Sequence, residues 1–208
     1  SYASALIPSQ VAYLDKPNSN KIENLNKGIK VTSDNLITLY SSSTNTNSYD
    51  AVIVYPSTTY HKEYVIQTYP TDNQSNEFAI VSSADNNKVT IKVREVDFKK
   101  GADRTPVETE IIVTLNQGQS YLYQPVRKEI SLIGTTICSD FPVSIMQGGQ
   151  HAKVPLGNSE TSHIYNNTFP TKAWGKKHIV TQTAAQKYDY VSLLAAENGT
   201  KVYRNNTL

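Results

Sequence analysis

One cysteine, Cys138, stands in 208 residues, which excludes an internal disulfide framework. A chain without bridges fits a bacterial exterior or a cytosol better than a small disulfide-stapled animal module. Long apolar runs are missing too. The longest, residues 191–196, is interrupted by Ser192 and falls well short of the roughly 20 residues of a membrane helix, so direct membrane insertion is not expected. An excess of one charge is also absent: 20 Lys and Arg are interleaved with 18 Asp and Glu for a net charge of +2. No basic stripe could neutralise a row of phosphates, which argues against nucleic acid as a partner. No charged, apolar leader opens the sequence, so a secretion signal, if one existed, has been removed or lies outside this stretch, and more chain is expected beyond both ends.

Phe and Trp are scarce, at 4 and 1, whereas Tyr occurs 14 times. Tyr suits half-buried pleated surfaces, because its ring is apolar while its hydroxyl can stay wet. The arrangement of what is present is periodic on a large scale. Gly134-Thr135-Thr136-Ile137-Cys138-Ser139-Asp140-Phe141-Pro142-Val143 repeats the pattern of Gly28-Ile29-Lys30-Val31-Thr32-Ser33-Asp34-Asn35-Leu36-Ile37, at an offset of 134 − 28 = 106. Residues 6–14 echo residues 115–122 as arm, turn and return arm. Tyr55-Pro56 and Tyr60-His61-Lys62 match Phe169-Pro170 and Trp174-Gly175-Lys176 at an offset of 170 − 56 = 114. The second copy therefore carries about eight more residues, within 147–162.

Within each copy the signals are those of strands. Val89, Ile91 and Val93 alternate with polar neighbours, as do Ile111, Val113 and Leu115, which predicts half-buried strands. Ala51-Val52-Ile53-Val54-Tyr55, stopped by Pro56, reads as a buried strand. Residues 78–91 read as strand, Asn-rich hairpin turn, strand, and residues 190–202 are expected to copy them. Residues 184–197 could form a helix by propensity, but the match to the first copy favours strand. The prediction is an all-β fold of two duplicated antiparallel units, 1–96 and 111–208, joined by a charged seam at 97–110. A sandwich is the economical architecture, with a propeller- or solenoid-like stack second.

No constellation of catalytic residues emerges. His61, His151, His163 and His178 lack the spacing of a zinc pair. Cys138 reads as a buried inert thiol, no Gly-x-Ser-x-Gly elbow is present, and Gly148-Gly149 reads as a flexible turn. Ser33-Asp34 and Ser139-Asp140 are expected to close turns through carboxylates that accept nearby N–H groups, a structural rather than calcium-binding role. Neither a catalytic metal nor a cofactor is expected.

Taken in order, Gly118-Gln119, Gly134-x-x-Ile137-x-Ser139-Asp140-x-Pro142-Val143, Phe169-Pro170, Trp174-Gly175-Lys176 and Glu197-Asn198-Gly199-Thr200-Lys201-Val202 resemble the N-terminal domain family of the IgGFc-binding protein. That family also occurs in secreted or surface proteins of Bacteroidota. The first copy departs from the pattern at Asn35-Leu36 and Tyr60-His61-Lys62. The resemblance implies an extracellular or cell-surface adhesion or recognition module inside a larger chain, not an enzyme, whose partner is a protein or glycan at a cell or mucosal surface. Antibody binding is not implied, since no residues for it map here. The alternative is a structural repeat of a surface fibre or virion appendage, in contact with neighbouring domains. The extra segment of the second copy is the candidate recognition loop, with Gln150, His151, Lys153, Asn158 and His163 as donors. A role as cover for a sheet edge stands beside it.

Overall fold

The computed structural model describes residues 3–8, 26–45, 48–69, 71, 74, 76–97, 105–154, 160–181 and 190–204. The strands, in chain order, are β1 (Leu39–Asn45), β2 (Ser48–Val54), β3 (His61–Val65), β4 (Asn76–Ser82), β5 (Asn87–Asp97), β6 (Val107–Leu115), β7 (Ser120–Tyr123), β8 (Ile130–Ser131), β9 (Thr136–Ala152) and β10 (Ser162–Asn167). All the pairings are antiparallel, as expected for the all-β fold. Eight strands form one curled sheet, and β1 and β2 form a separate hairpin that packs on β10.

The 17-residue β9 is the spine. Its first part lies between β5 and β3, with Ile91 opposite Ile137 and Tyr64 opposite the same residue on the other side. Its later part lies between β4 and β10. The changeover falls at Ser139-Asp140-Phe141-Pro142. Pro142 has no N–H to give a ladder, so it belongs where pairing breaks.

This arrangement corrects the expected hairpin at residues 78–91. β4 and β5 both run antiparallel to β9 and follow one another along it, Ser82 opposite Val143 and Val89 opposite Ser139. Residues 83–86 are therefore a corner in one long bent strand. Asn86, at φ 53, supplies the left-handed residue that either a hairpin or a corner requires. β6 and β7 bend beside them, pairing with β5 and β4 respectively, with Gly118 at φ 77 in their corner. The two corners are tied by backbone bonds from Gly118 N to Ser82 O (2.9 Å) and from Ser82 N to Gln119 O (3.1 Å).

The third bend, in β9, is held by Asn87, which is fully buried. Its Nδ2 donates to the Phe141 carbonyl (2.9 Å) and to Ser82 Oγ (3.0 Å), and its Oδ1 accepts the Phe141 N–H (2.9 Å). Inside the curl lie Ile66, Phe78, Ile80, Val89, Ile91, Val113, Leu115, Ile137, Val143 and Ile145. The alternation read at Val89, Ile91 and Val93 and at Val113 and Leu115 is the alternation of this core.

Other expectations differ from the structure. β2 is a strand, but only Val52 of its apolar run is buried and Ile53 is exposed, because the β1–β2 hairpin has one covered face. Cys138 is exposed, not buried: Ile137 points inward, so its neighbour must point outward. Residues 190–202 form no strand, although a turn at 196–199 with Gly199 at φ 75 matches the corner ending at Asn86. Residues 3–8 are exposed and form no strand, and the turn expected after them lies outside the described residues.

Several tyrosines line the core with their hydroxyls satisfied. Tyr64 OH donates to the Val143 carbonyl (2.7 Å) and Tyr123 OH to Glu95 Oε1 (2.8 Å). Burial pushes the Tyr64 and Tyr121 phenols above the usual 10.0. Burial, followed by the hydrogen bond to Glu95 and its charge, pushes Tyr123 far above it. The fold thus holds these protons more tightly than the unfolded chain does. Its stability is fully present below the unfolded value of about 10 and is lost as pH rises toward the folded values. Melting temperature is expected to be level through neutral pH and to fall above pH 10, with the tyrosinate absorbance of the buried rings appearing together with unfolding. Ionisation of all tyrosines in the folded protein at pH 10 would contradict this.

Candidate functional site

The segment singled out by sequence is the hairpin of β9 and β10. Residues 147–152, expected within the extra segment, continue β9; nine residues, 153–161, then join Ala152 to Ser162. The β1–β2 connection has two, residues 46–47, so the second hairpin is longer by 9 − 2 = 7. The register shift between Ser162 and Ile164 sets two residues of β9, Gln150 and His151, against one of β10, His163, so the eighth extra residue is a bulge in β9.

The base of the hairpin is close-packed. Gly148 and Gly149 are not a flexible turn; they sit in β9 between β4 and β10. A Cβ on Gly148 would collide with the Ile164 carbonyl and lie 2.9 Å from Tyr165 Cα. On Gly149 it would lie 2.7 Å from Thr71 Cγ2 and 2.9 Å from Asn76 Nδ2. Glycine is needed here for close approach of backbones. Tyr165 fastens β10 to the β1–β2 hairpin: its N–H donates to Asp50 Oδ2 (2.8 Å) and its hydroxyl to the Ser41 carbonyl (2.8 Å). Burial raises the Tyr165 phenol above its ordinary value, an effect that the Ser41 bond opposes and the Asp50 charge reinforces.

At the far end the chemistry is polar. His151 is exposed at φ 55, a conformation costly for most side chains and tolerated somewhat better by His than by branched residues. Gln150 and Lys153 are half-buried beside it. His163 lies near-parallel to the Tyr165 ring, with centroids 6.3 Å apart. Four of the five candidate residues therefore gather at the end of one hairpin, and Asn158 lies outside the described residues.

At the two Ser-Asp pairs the atom that closes the turn differs from expectation. Ser33 Oγ donates to the Asn35 carbonyl (2.6 Å) and Ser139 Oγ to that of Phe141 (2.8 Å), so the hydroxyl closes each turn in place of the carboxylate. Asp34 is in a bend and Asp140 in β9. The aromatic-Pro motifs each lead into a three-residue 3-10 turn, Ser57–Thr59 and Thr171–Ala173. Pro56 and Pro170 differ by 3° in φ and 2° in ψ, and Tyr60 and Trp174 close their turns alike.

A hollow near these turns, bordered by Tyr55, Tyr60, Tyr64, Asn167 and Pro170, holds about 10 Å³, the room of about one water and far below a small-molecule site. Among the described residues no three His, Cys, Asp or Glu side chains are grouped to hold a metal, and no helix is long and apolar enough to cross a membrane.

Sequence reasoning missed Asn87, Tyr165 and the close packing at Gly148. The first was treated as one more turn Asn, and the Gly pair carried a signal, since glycine inside an alternating strand marks close backbone approach.

Comparison with known proteins finds one human relative, IgGFc-binding protein, 23% identical over 181 residues, which are 86% of this chain and 3% of the relative. The chain thus spans a small part of that protein's length. No solved structure matches. The family model described as IgGFc binding protein matches residues 50–208, three-quarters of the chain and every strand from β3 onward. This chain belongs to the IgGFc binding protein family.

Proposed function

We propose that the chain is a non-catalytic extracellular recognition module, part of a larger secreted or surface protein, and that it meets its protein or glycan partner with the tip of the β9–β10 hairpin. The observation that carries this is the contrast within one hairpin. Its base is fixed by Gly148, Gly149 and Tyr165, while its tip presents His151 to solvent beside Gln150, Lys153 and His163. Loops on a rigid sheet carry recognition well, because little order has to be imposed on binding. Membership in a family whose human relative is named for a protein ligand supports a binding role.

The second reading, a structural repeat whose contacts are with neighbouring β units, is favoured by apolar side chains left exposed at residues 26–38 and 174–204, among them Leu36, Ile179 and Leu193.

Replacing residues 150–158, which carry Gln150, His151, Lys153 and Asn158, with a short Gly-Ser linker separates the two. With immobilised mucin glycoproteins, a glycan array and IgG Fc as probes, the variant is expected to keep its melting temperature and lose binding of the probe that the parent captures. Unchanged binding would remove the hairpin tip from the site, and loss of folding would make the connection a structural cover.

A further inference from the structure

Among the described residues, 28–38 and 190–203 form no strand, yet they are images of paired segments in the middle of the chain. With the offset of 106, residues 28–45 are the image of 134–151, which contain most of β9. Residues 174–204 are the image of 60–91, at 174 − 60 = 114 before the loops and 199 − 86 = 113 at the matching turns. In the middle of the chain, β3, β4 and β5 close on β9. At the ends, the same two sets of residues are present without each other.

The apolar residues show what is missing. Val31 is 51% exposed and is the image of Ile137 at 0%; Leu193 is 65% exposed and is the image of Ile80 at 0%. Ile37, Val191 and Val202, all more than half exposed, are the images of the buried Val143, Phe78 and Val89. Each such side chain gains about 1.5–3 kcal/mol when covered. β1, the image of the part of β9 that pairs with β4, pairs only with β2 and leaves its other edge open.

The middle of the molecule also says how the ends relate. Tyr55 and Phe169 are images of one another, and their rings touch with centroids 4.6 Å apart. Asn167 and Ile53 are images as well, since 53 + 114 = 167, and Asn167 Nδ2 donates to the Ile53 carbonyl. Residues that contact their own images mark a local twofold axis, about which every other contact should have a counterpart. Gln67 Nε2 already bonds Ser192 O and Oγ, both at 3.1 Å, holding the later segment against the completed unit.

We propose that residues 174–181 and 190–204 pair with residues 28–45 of the same chain, building a second β unit related to the first by this twofold axis. Register follows from the first unit. Ile80 opposite Ile145 places Leu193 opposite Leu39, and Val89 opposite Ser139 places Val202 opposite Ser33.

Cysteine pairs test this in the full chain, with Cys138→Ser removing the native thiol. Leu39→Cys with Leu193→Cys, and Ser33→Cys with Val202→Cys, bring paired positions within disulfide reach, whereas Leu39→Cys with Val202→Cys does not. These side chains are exposed, except for the half-buried Leu39, so folding should survive the exchange. Under mild oxidation the first two pairs are expected to lose nearly all free thiol while remaining monomeric, and the third to keep it. Disulfide-linked dimers would assign the partner to a second copy, and thiols persisting as in the third pair would mean that no such pairing occurs. Either result overturns the proposal.

Discussion

Asn87→Ala is expected to lower the unfolding free energy by about 2–4 kcal/mol, because it leaves the Phe141 N–H without its partner and removes one bond each from the Phe141 carbonyl, which keeps Ser139 Oγ, and from Ser82 Oγ, which keeps Ala84. Each buried polar group left alone costs about 1–3 kcal/mol, and a side-chain void adds to it. For a chain of this size the melting temperature should fall by about 10 °C. A drop under about 3 °C, which is what loss of one ordinary surface bond would give, would mean that the corner closes without the clamp. The position matters because three strands bend together there, and only an amide offers a donor and an acceptor in one plane at that length.

The second large effect is expected at Gly148. Gly148→Ala places a methyl against the Ile164 carbonyl and Tyr165 Cα, both main-chain atoms that no rotamer change can move. β10 must therefore separate from β9, at a cost of about 3 kcal/mol or more. Gly118→Ala offers the comparison. There the methyl meets open space and the penalty comes only from φ 77, about 1–2 kcal/mol. Thermal melts of both variants should rank Gly148→Ala as the more damaging. It should also weaken ligand capture, since Tyr165 and the hairpin tip shift with β10. Equal melting temperatures would show that the sheet can widen at Gly148.

How far these features were legible depends on the range over which they are decided. Alternation at Val89, Ile91 and Val93 is local, and it gave the strand and its buried face directly. The matching 3-10 turns after Pro56 and Pro170 were visible as aromatic-Pro motifs, because proline fixes its own φ. The direction of β5 was not visible. Asn86 in a left-handed conformation serves a hairpin and a corner equally, and the choice is made by pairing with β9 about 50 residues later. Cys138 could have been placed outward, had the alternation at Ile137 been followed one residue further. Residues 190–202 carry strand composition without a strand, since a ladder needs a partner as well as a propensity. The hairpin tip was readable as extra length between repeats, whereas its rigid base, made by Gly148, Gly149 and Tyr165, came only from contacts between strands.

A fragment of residues 39–174 keeps the ten strands described above and the β9–β10 tip, and discards residues 1–38 and 175–208. Measured beside the full chain on the same mucin, glycan and Fc surfaces, it is expected to unfold cooperatively and to retain the full chain's binding. A fragment of residues 1–104, cut at the seam, should fail to fold, because the β5–β6 and β4–β9 pairings are severed. A folded 39–174 fragment that has lost all binding would contradict recognition by the hairpin.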